Sequence, residues 1–428
     1  MLSRRNFVKF AGLPPLLALT PAGIFTTKGS TEFKSLDKAP AIKSFSIFKA
    51  TGNFYRFIGM NAYDTAPKGI NGSKTLMKLV LADGTEGIGA VGYRIPDEQV
   101  LTKMKQMIGK DPFDFYNWKN DKIVGVKDHM KEYFFDAKYA WFESAVLDVI
   151  GKLKQRPVWQ LMGDPVREGI DPYDGTLYFE DIANKTDVRI IAETGKQIKA
   201  DGYRAIKVKL GRPDKWMMGE AGLQRDIDVF IALREAVGSN FILMADPNNG
   251  YRQHFDRAVK LLKACAPYNM FFIEEIFPDD TAMYQKLREA LLEDNMFIPV
   301  AEGENINDLN LFDQYLKDGI YNYLQPDMHT CGFSYILDFA KKAEVYAHVK
   351  IIPHVWQSQL GLIMSLHAGK IQHNINFVED SRYFEHAITT RGYLFSQGQW
   401  FIPDKPGWGV AITPDYKQFI IGKEISIS

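Results

Sequence analysis

The amino-acid sequence predicts a (β/α)8-type barrel, a modified TIM barrel, preceded by a smaller α+β capping module. From Asp171 onwards, strand-like apolar runs alternate with helical stretches, and the runs end at intervals of 23 to 37 residues. Each interval leaves room for a helix and a return loop. After the first run, every end carries an ionisable residue, as expected at the functional rim of such a barrel. The ends lie near Gly175, Lys209, Asp246, Glu274, Glu304, Asp327, His354 and Glu379.

Bulk composition is that of a large globular protein. The chain has 428 residues, and its 46% hydrophobic content is ample for a full core. Lys plus Arg and Asp plus Glu both number 52, so the net charge does not favour binding to nucleic acid or to an anionic membrane. Cys265 and Cys331 are too few for a disulfide framework, and we interpret them as small buried residues.

Residues 1–30 read as an export signal rather than as part of the fold. Arg4-Arg5 precede an apolar segment from Phe10 to Phe25 that is too short and too rich in Pro and Gly to span a membrane. This pattern is similar to a twin-arginine signal, so we expect a periplasmic or otherwise exported protein without stable membrane insertion of the mature chain. A disordered basic terminus is the alternative. Cleavage near Ala22 would occur without a clear A-x-A site.

Residues 40–165 are predicted to form the capping domain. Strand-like runs at 44–50 and 76–82 are followed by the hairpin turn Asp83-Gly84. The GxGxxG match at 87–92 comes directly after that turn, so we interpret it as a return strand and not as a dinucleotide site. Apolar residues then recur at helical spacing between Phe142 and Leu153.

Residues 170–395 are predicted to form the barrel, with helices near 223–237 and 254–265. The last segment, residues 396–428, contains the turn Pro406-Gly407-Trp408-Gly409 and short strand-like pieces. We expect this segment to pack back on the capping domain and complete it.

Three consecutive barrel strands end at carboxylates, which indicates a metal site. Asp246, Glu274 and Glu304 would meet on one rim, where three oxygen ligands suit a hard cation such as Mg²⁺. Strand alternation favours Glu274 and Glu304 over their neighbours Glu275 and Glu302. Singly, each residue has an ordinary interpretation as a helix cap or a loop charge.

The other strand ends carry acid/base groups. Lys207 and Lys209 share one face of a strand with apolar neighbours, and crowding of this kind can lower a lysine pKa enough for it to act as a base. Asp327 and His354 end adjacent strands, where a carboxylate can orient an imidazole and raise its basicity. His329 stays undecided. Glu379 is either a protonated acid that binds a substrate carboxylate or an inert rim charge, depending on whether burial raises its pKa.

The whole set of strand-end residues resembles the mandelate racemase branch of the enolase superfamily, the mandelate racemase/muconate lactonizing enzyme family. The residues that carry the resemblance are Lys207, Lys209, Asp246, Glu274, Glu304, Asp327, His354 and Glu379. Residues 141–163 resemble the family's helix before the barrel, and the turn at 406–409 resembles its C-terminal turn. The resemblance covers nearly the whole mature chain.

The resemblance implies abstraction of the proton α to a carboxylate, through an enediolate stabilised by Mg²⁺. By this analogy, Lys209 acts on one face of the substrate and the His354–Asp327 pair acts on the other. Lys207 and Glu379 would bind the substrate carboxylate. The small-molecule substrate would be a carboxylate, and a homo-oligomer is compatible with the family.

Dehydration of an acid sugar or related hydroxy acid is the favoured reaction, and racemisation or epimerisation of a hydroxy acid is the alternative. A catalytically idle metal-binding scaffold is a third hypothesis, although a scaffold needs neither Lys209 nor His354. Substrate choice is expected to depend on residues 54–73 of the capping domain, with Tyr55, Arg56, Asn61 and Tyr63, and on residues 212–220. The cluster Trp216-Met217-Met218 suggests an apolar wall there.

Overall fold

The computed structural model describes residues 37–92 and 94–428. The predicted export signal lies outside these residues. Across the described chain, we find no helix with the length and apolar character needed to span a bilayer.

The capping domain begins with a long antiparallel hairpin that provides most of its sheet. The first five strands of the capping domain are β1 (Ile42–Ile58), β2 (Gly69–Leu81), β3 (Glu86–Gly92), β4 (Tyr116–Lys119) and β5 (Lys122–Val126). The GxGxxG match lies on β3, which pairs antiparallel with β2, as predicted for a return strand. Gly87 and Gly89 let β3 approach a helix closely, because a Cβ at either position would lie within 3 Å of that helix.

The helices of this domain are α1 (Glu98–Met104), α2 (Asp128–Phe134), α3 (Glu143–Leu153) and α4 (Val158–Met162). Helix α3 is the one predicted from the apolar stripe, and it is buried along most of its length. It is the helix against which β3 packs. It therefore forms the centre of the capping domain's core.

The barrel sheet is parallel and contains eight of the described strands. They are β6 (Asp171–Leu177), β7 (Ala205–Lys209), β8 (Ile242–Asp246), β9 (Met270–Glu274), β10 (Val300–Glu302), β11 (Tyr323–Leu324), β12 (Lys350–Ile351) and β13 (Phe377–Asp380). Their spatial order is β12-β11-β10-β9-β8-β7-β6-β13. The first and last strands of this order, β12 and β13, approach each other where Ile351 N, in β12, donates a hydrogen bond to Asn374 O, just before β13, at 3.1 Å.

The barrel helices lie between successive strands, as the alternation of patterns predicts. They are α5 (Glu180–Ala183), α6 (Arg189–Ala200), α7 (Glu220–Val237), α8 (Phe255–Cys265), α9 (Thr281–Leu292), α10 (Asn310–Asp318), α11 (Met328–Cys331), α12 (Phe333–Ala343) and α13 (Gln359–Ile371). Side chains from six barrel segments fill the interior as a separate buried layer: Tyr173, Ala205, Met244, Phe272, Ala301 and Ile352. This layer closes the interior below the strand ends.

The predicted fold class is confirmed, with one difference in the eighth unit. Only two residues separate β13 from β14 (Tyr383–Glu385), which leaves no room for an eighth helix. Instead, β14 joins the capping sheet beside β1. The barrel therefore has eight strands but seven crossovers.

The C-terminal segment completes the capping domain, as expected. The strands after β14 are β15 (Ile388–Thr390), β16 (Leu394–Ser396), β17 (Gln399–Phe401), β18 (Val410–Ile412) and β19 (Ile420–Ile427), so they begin before residue 396, where the segment was predicted to start. Strand β19 pairs antiparallel with β1. Trp408, which is fully buried, donates its indole N–H to Ser144 O at 2.7 Å and fastens this segment to α3.

Candidate active site

The carboxyl ends of β8, β9 and β10 bring three carboxylates together. One oxygen from each of Asp246, Glu274 and Glu304 lies within 4.8 Å of the others. Asp246 Oδ1 accepts a hydrogen bond from Asn248 N at 2.9 Å, and Glu274 Oε2 accepts one from Gln325 Nε2 at 2.7 Å. These bonds help to fix the carboxylates, whose three oxygens lie close together. The donor set is that of a hard divalent cation, so these residues fit Mg²⁺.

Glu304 reaches this cluster from a turn beyond the strand. Strand β10 ends at Glu302, earlier than the predicted run, and Gly303 then adopts a φ of 115° that only glycine tolerates readily. Glu302 is buried elsewhere, against the hydroxyl of Tyr284. Glu302 lies outside the cluster because of this turn, since strand alternation alone would place residues 302 and 304 on the same face.

Glu275 lies beside the cluster and links the surrounding loops. Its carboxylate accepts hydrogen bonds from Asn248 Nδ2 at 3.0 Å and from Asn305 Nδ2 at 2.6 Å. Burial, together with the charges of Glu304 and Asp246, raises the pKa of Glu275 to about 8. The residue supports the site from outside the group of three oxygens.

The two lysines of β7 are fully engaged with these carboxylates. Lys207 Nζ lies 2.8 Å from Glu274 Oε1, 3.0 Å from Glu379 Oε1 and 3.4 Å from Asp246 Oδ2. Lys209 donates a hydrogen bond to Asp246. The register of β7 and β8 explains the pairing, because Lys209 lies opposite Asp246.

The expectation that crowding lowers the lysine pKa values is wrong for this structure. Burial alone would lower the pKa of Lys209, but the negative charge of Asp246 outweighs it and the pKa is raised. The pKa of Lys207 is also raised, because the negative charges of Glu274 and Glu379 outweigh the lowering effect of burial. Both side chains are therefore ammonium groups, because neighbouring carboxylates stabilise the protonated form of each lysine.

Asp327 and His354 form the predicted pair. His354 Nδ1 and Asp327 Oδ2 are 2.7 Å apart, and the backbones of the two residues form a parallel bridge just beyond β11 and β12. The other oxygen of Asp327 accepts hydrogen bonds from the backbone N–H groups of His329, at 3.0 Å, and Thr330, at 2.9 Å. Asp327 is thus held rigidly, and it fixes the imidazole ring.

The opposite ring nitrogen of His354 faces the site. Nε2 lies 3.3 Å from Glu304 Oε2 and 3.7 Å from Glu379 Oε2. Burial lowers the pKa of His354, but Glu304 and Glu379 outweigh burial and raise it to about 10. The imidazole is therefore a cation in this arrangement and can donate a proton from Nε2.

Glu379 differs from the protonated acid considered from the sequence. Burial raises the pKa of Glu379, but the positive charges of Lys207 and His354 outweigh burial, so the pKa is lowered overall. Glu379 Oε2 also accepts a hydrogen bond from Val355 N at 3.0 Å. In this structure Glu379 is an ionised carboxylate whose strand position places it between two cations.

His329, which the sequence left undecided, lies behind the pair. Its Nδ1 is 3.5 Å from Asp327 Oδ1, and the residue is buried. Burial, followed by the positive charge of Lys74, lowers the pKa of His329 to about 4. We therefore assign His329 a neutral, supporting position.

These groups open into one cavity of about 330 Å³ under the capping domain. Lys209, Asp327, His354, Glu304 and Glu379 line its inner part. Side chains from the cap and the barrel loops line the rest, among them Asn61, Tyr63, Lys68, Tyr178, Asn248 and Trp356. Sequence reasoning did not single out Lys68, Tyr178 or Trp356, although Lys68 lies in the predicted loop 54–73, Trp356 follows His354 by two residues and Tyr178 directly follows β6.

The loop predictions are only partly reflected in this cavity. Asn61 and Tyr63 line it, whereas Arg56 turns away to pair with Glu180. Trp216 donates its indole N–H to Asn61 O at 2.8 Å and so supports the cap loop from behind. The apolar wall expected from residues 216–218 is formed instead by the rings of Tyr178 and Trp356, whose centroids are 5.0 Å apart.

Arg212, at the start of the second predicted loop, is structural. It is completely buried, and its guanidinium pairs with Asp181 and Asp226, at 2.6 Å each. These charge-assisted bonds explain how an arginine can be buried.

Comparison with known proteins agrees with this arrangement. Residues 189–416, more than half of the chain, match the family model described as enolase C-terminal domain-like. The chain belongs to this family. The resemblance drawn from the strand-end residues is thereby confirmed.

Among the relatives of this enolase-type chain is D-galactarolactone cycloisomerase from Agrobacterium fabrum, which is 27% identical over 360 residues, covering 79% of this chain and 89% of the relative. A solved structure of galacturonate dehydratase from Geobacillus sp. superimposes with a TM-score of 0.77 at 24% identity, covering 91% of this chain and 99% of that one. The mandelate racemase/muconate lactonizing protein from Geobacillus sp. Y412MC10, solved with magnesium and tartrate, gives a TM-score of 0.75 at 24% identity, covering 89% and 95%.

Proposed function

We propose that this protein is a Mg²⁺-dependent enzyme that removes the proton α to the carboxylate of a hydroxy acid. The observation that carries the proposal is the placement of two acid/base groups, Lys209 and His354, in one cavity that Glu304 of the carboxylate cluster also lines. They lie at the second and seventh barrel strands, so they reach a substrate from different sides. Two opposed groups permit proton removal at one side and proton delivery at the other.

Asp246, Glu274 and Glu304 would hold the cation. When bound, Mg²⁺ would supply positive charge that attracts the substrate carboxylate and lowers the pKa of the nearby Lys209. Lys209 would then accept the α-proton on Nζ. Lys207, already fixed between Glu274 and Glu379, would contribute further positive charge beside the substrate carboxylate.

His354 would complete the reaction as the proton donor. Its Nε2 faces the cavity, and Asp327 holds Nδ1. A proton given from Nε2 to a β-hydroxyl lets that group leave as water, which is dehydration. A proton given to the α-carbon on the second face would instead give racemisation or epimerisation.

We favour dehydration of an acid sugar. Relatives named as dehydratases support this preference, for example D-galactonate dehydratase from Cronobacter sakazakii, at 28% identity over 291 residues. The polar lining of the cavity, with several amide side chains, also suits a polyhydroxylated acid.

The decisive test is exchange of the α-proton. Purified protein with Mg²⁺ would be incubated in D₂O with a pool of hydroxy acids and acid sugars and followed by NMR and mass spectrometry. We expect deuterium uptake or loss of water with one class of acid, and no turnover in Lys209→Ala or His354→Ala. The exposed residues Lys196 and His373 provide matched controls, because their alanine variants should react normally. A protein that binds Mg²⁺ but exchanges no acid would be a scaffold.

Metal binding can be tested apart from turnover. Mg²⁺ at 100 times its Kd should add about 2.7 kcal/mol to the free energy of unfolding relative to EDTA. Glu304→Gln should abolish this stabilisation, whereas Gln at the exposed Glu344 should retain it. Thermal unfolding with and without EDTA measures both variants. Equal stabilisation of Glu304→Gln would remove Glu304 from the ligand set.

We also propose export through the twin-arginine route, supported by Arg4-Arg5 and the following apolar segment. Fractionation of cells that express the full chain should place it outside the cytoplasm. Replacing both arginines by lysine should retain it inside. Unchanged distribution of that variant would refute this route.

A further inference from the structure

Asn248, two residues beyond Asp246, connects the carboxylate cluster to the capping domain. Its backbone N–H donates to Asp246 Oδ1 at 2.9 Å, and its side-chain Nδ2 donates to Glu275 Oε2 at 3.0 Å. Its Oδ1 accepts a hydrogen bond from Asn61 Nδ2, in the cap, at 2.9 Å. Because Asn248 is buried, these bonds form without competition from water. One residue therefore contacts a proposed metal ligand, the end of β9 and the cap.

The backbone around Asn248 depends on support from its surroundings. Asn248, Asn249 and Glu275 have φ values of 46°, 61° and 42°, which lie in the left-handed region. Asparagine adopts this region more readily than most residues, whereas glutamate does so rarely. Asn249 N donates to Glu275 O at 2.6 Å and so joins the two left-handed segments. Such a junction persists only where neighbouring contacts hold it, and the side-chain bonds of Asn248 are among those contacts.

Asn61 is equally constrained on the cap side. Its Oδ1 accepts hydrogen bonds from the backbone N–H groups of Tyr63, at 3.0 Å, and Asp64, at 3.1 Å. These bonds close a turn of residues 61–64, which we call the cap turn. The Nδ2 group of Asn61 is then the part of the carboxamide that faces Asn248. Turning either carboxamide over would bring two oxygens or two NH₂ groups together, so the pair has one favourable orientation.

The path from the cap turn to Asp246 is short. Asp246 Oδ2 accepts a hydrogen bond from Lys209, and its Oδ1 is held by Asn248 N. Without the bond from Asn61, the Asn248 side chain is held from one side only, and the left-handed turn is free to relax away from Oδ1. Asp246 supplies one of the three clustered oxygens, so a shift of its carboxylate changes the geometry offered to a cation.

We infer that Asn248 is a positioning residue that couples Mg²⁺ binding to the docking of the cap turn, through its bond to Asn61. By linkage the effect is reciprocal: the docked turn raises the affinity for Mg²⁺, and bound Mg²⁺ favours the docked turn by the same factor. Asn61 and Tyr63 line the cavity, so the metal also fixes part of the wall that faces the substrate. The inference rests on the proposed Mg²⁺ site and adds a connection between that site and the cap.

Calorimetric titration with Mg²⁺, in the absence of substrate, tests this coupling. Asn61→Ser removes the donor to Asn248 but keeps a hydroxyl that can close the cap turn. We expect its Kd for Mg²⁺ to be at least about fivefold higher than that of the original protein. Trp216→Phe is the matched control, since it removes only the hydrogen bond from Trp216 Nε1 to Asn61 O, and its Kd should change less than about twofold. An unchanged Kd in Asn61→Ser, or equal weakening in both variants, would overturn the inference.

A double-mutant cycle assigns the effect to the contact itself. Asn248→Gly keeps the backbone N–H and suits the left-handed φ, but it lacks the side chain that Asn61 binds. In this background Asn61→Ser should change the Kd for Mg²⁺ less than about twofold, because its partner is already gone. A second full loss of affinity would show that Asn61 acts by another route and would contradict the role of Asn248.

Hydrogen exchange of the cap turn measures the reverse direction of the coupling. Mg²⁺ should slow exchange of the Tyr63 and Asp64 amides in the original protein but not in Asn61→Ser. Equal protection in both would overturn the inference and leave the proposed function intact. Absence of Mg²⁺ binding by the original protein would contradict the metal site and the inference together. Coupled protection without α-proton exchange of any acid would support the inference and contradict only the proposed reaction.

Discussion

His354 takes its orientation from Asp327, and Asp327 takes its own from the backbone. Two N–H groups and one imidazole nitrogen converge on this carboxylate. Each contact satisfies an oxygen that burial would otherwise leave costly. A carboxylate held in this way positions a ring without needing to change its own protonation state.

Replacing Asp327 by Asn should uncouple the two acid/base groups. The amide oxygen can still cap the turn at His329 and Thr330, so the fold should survive, but the ring loses its charged partner. We expect kcat for the complete reaction to fall by about 10²- to 10⁴-fold, while α-deuterium exchange through Lys209 continues. Steady-state kinetics and NMR exchange measure the two effects. The exposed Asp338→Asn is the matched control, and parallel loss of both activities would contradict separate roles.

Three of the site residues that sequence reasoning located share one property. Asp246, Glu274 and Lys209 each end a strand of a parallel sheet, so their meeting at one rim follows from topology. Lys68 and Trp356 do not lie at the end of a barrel strand. Their approach depends on how a cap loop folds over the barrel, which no local pattern encodes. Protonation states were equally inaccessible, because they depend on partners supplied by other strands.

At the scale of the secondary-structure elements, strand β6 contributes a glycine, Gly175, whose lack of a side chain leaves room for a site residue. Gly175 lies directly beside Glu379, and an added Cβ would approach Glu379 Oε1 to 2.8 Å. That oxygen is 3.0 Å from Lys207 Nζ, and the other is bound by Val355 N. The carboxylate therefore cannot move aside without breaking one of these contacts.

Gly175→Ala should consequently lower activity without unfolding the protein. Displacement of Glu379 and Lys207 by several tenths of an ångström to 1 Å should cost up to about 100-fold in kcat/KM. Gly125→Ala is the control, since an added Cβ there meets nothing within 4 Å. Kinetics and thermal unfolding would be compared for both variants. Normal activity of Gly175→Ala would show that Glu379 tolerates displacement.

Element prediction worked best where strands were long and apolar. Strands β7, β8 and β9 end at Lys209, Asp246 and Glu274, as expected. Strands β11 and β12 contain two residues each, so Asp327 and His354 lie three residues beyond them. The eighth unit was mispredicted because strand periodicity cannot tell whether the next segment is a helix on the barrel or a strand of another sheet.

At the scale of the whole molecule, Glu143 joins the capping domain to the barrel. It begins α3, accepts a hydrogen bond from Tyr116 Oη at 3.1 Å, and accepts another from Ser334 N in α12 at 2.9 Å. Burial raises the pKa of Glu143 to about 7, although Ser334 and Tyr116 partly oppose the shift. The folded protein thus keeps this proton at a pH where the unfolded chain has released it.

The sign of the resulting pH dependence follows from this difference. Between about pH 4.5 and 7 the folded state binds more protons than the unfolded state, so the contribution of Glu143 to stability falls as pH rises, and it is constant above pH 7. Glu143→Gln removes the dependence. The free energy of unfolding of the variant relative to the original should therefore rise by about 2 to 3 kcal/mol from pH 5 to pH 8. Urea denaturation at both pH values tests this, and a pH-independent difference would show that Glu143 is ionised in the folded state.

Strand β1 pairs along one edge with β2, but its other edge is covered by two segments from the far end of the chain. Strand β19 pairs with Phe45–Ala50, and β14 pairs with Gly52–Phe54. During synthesis, β1 and β2 leave the ribosome long before either partner exists, so that edge stays unpaired until the barrel has been translated. An unpaired edge is a site of aggregation. The capping domain therefore reaches its final form only after translation of β19, and incomplete chains should be handled by the cell as misfolded protein.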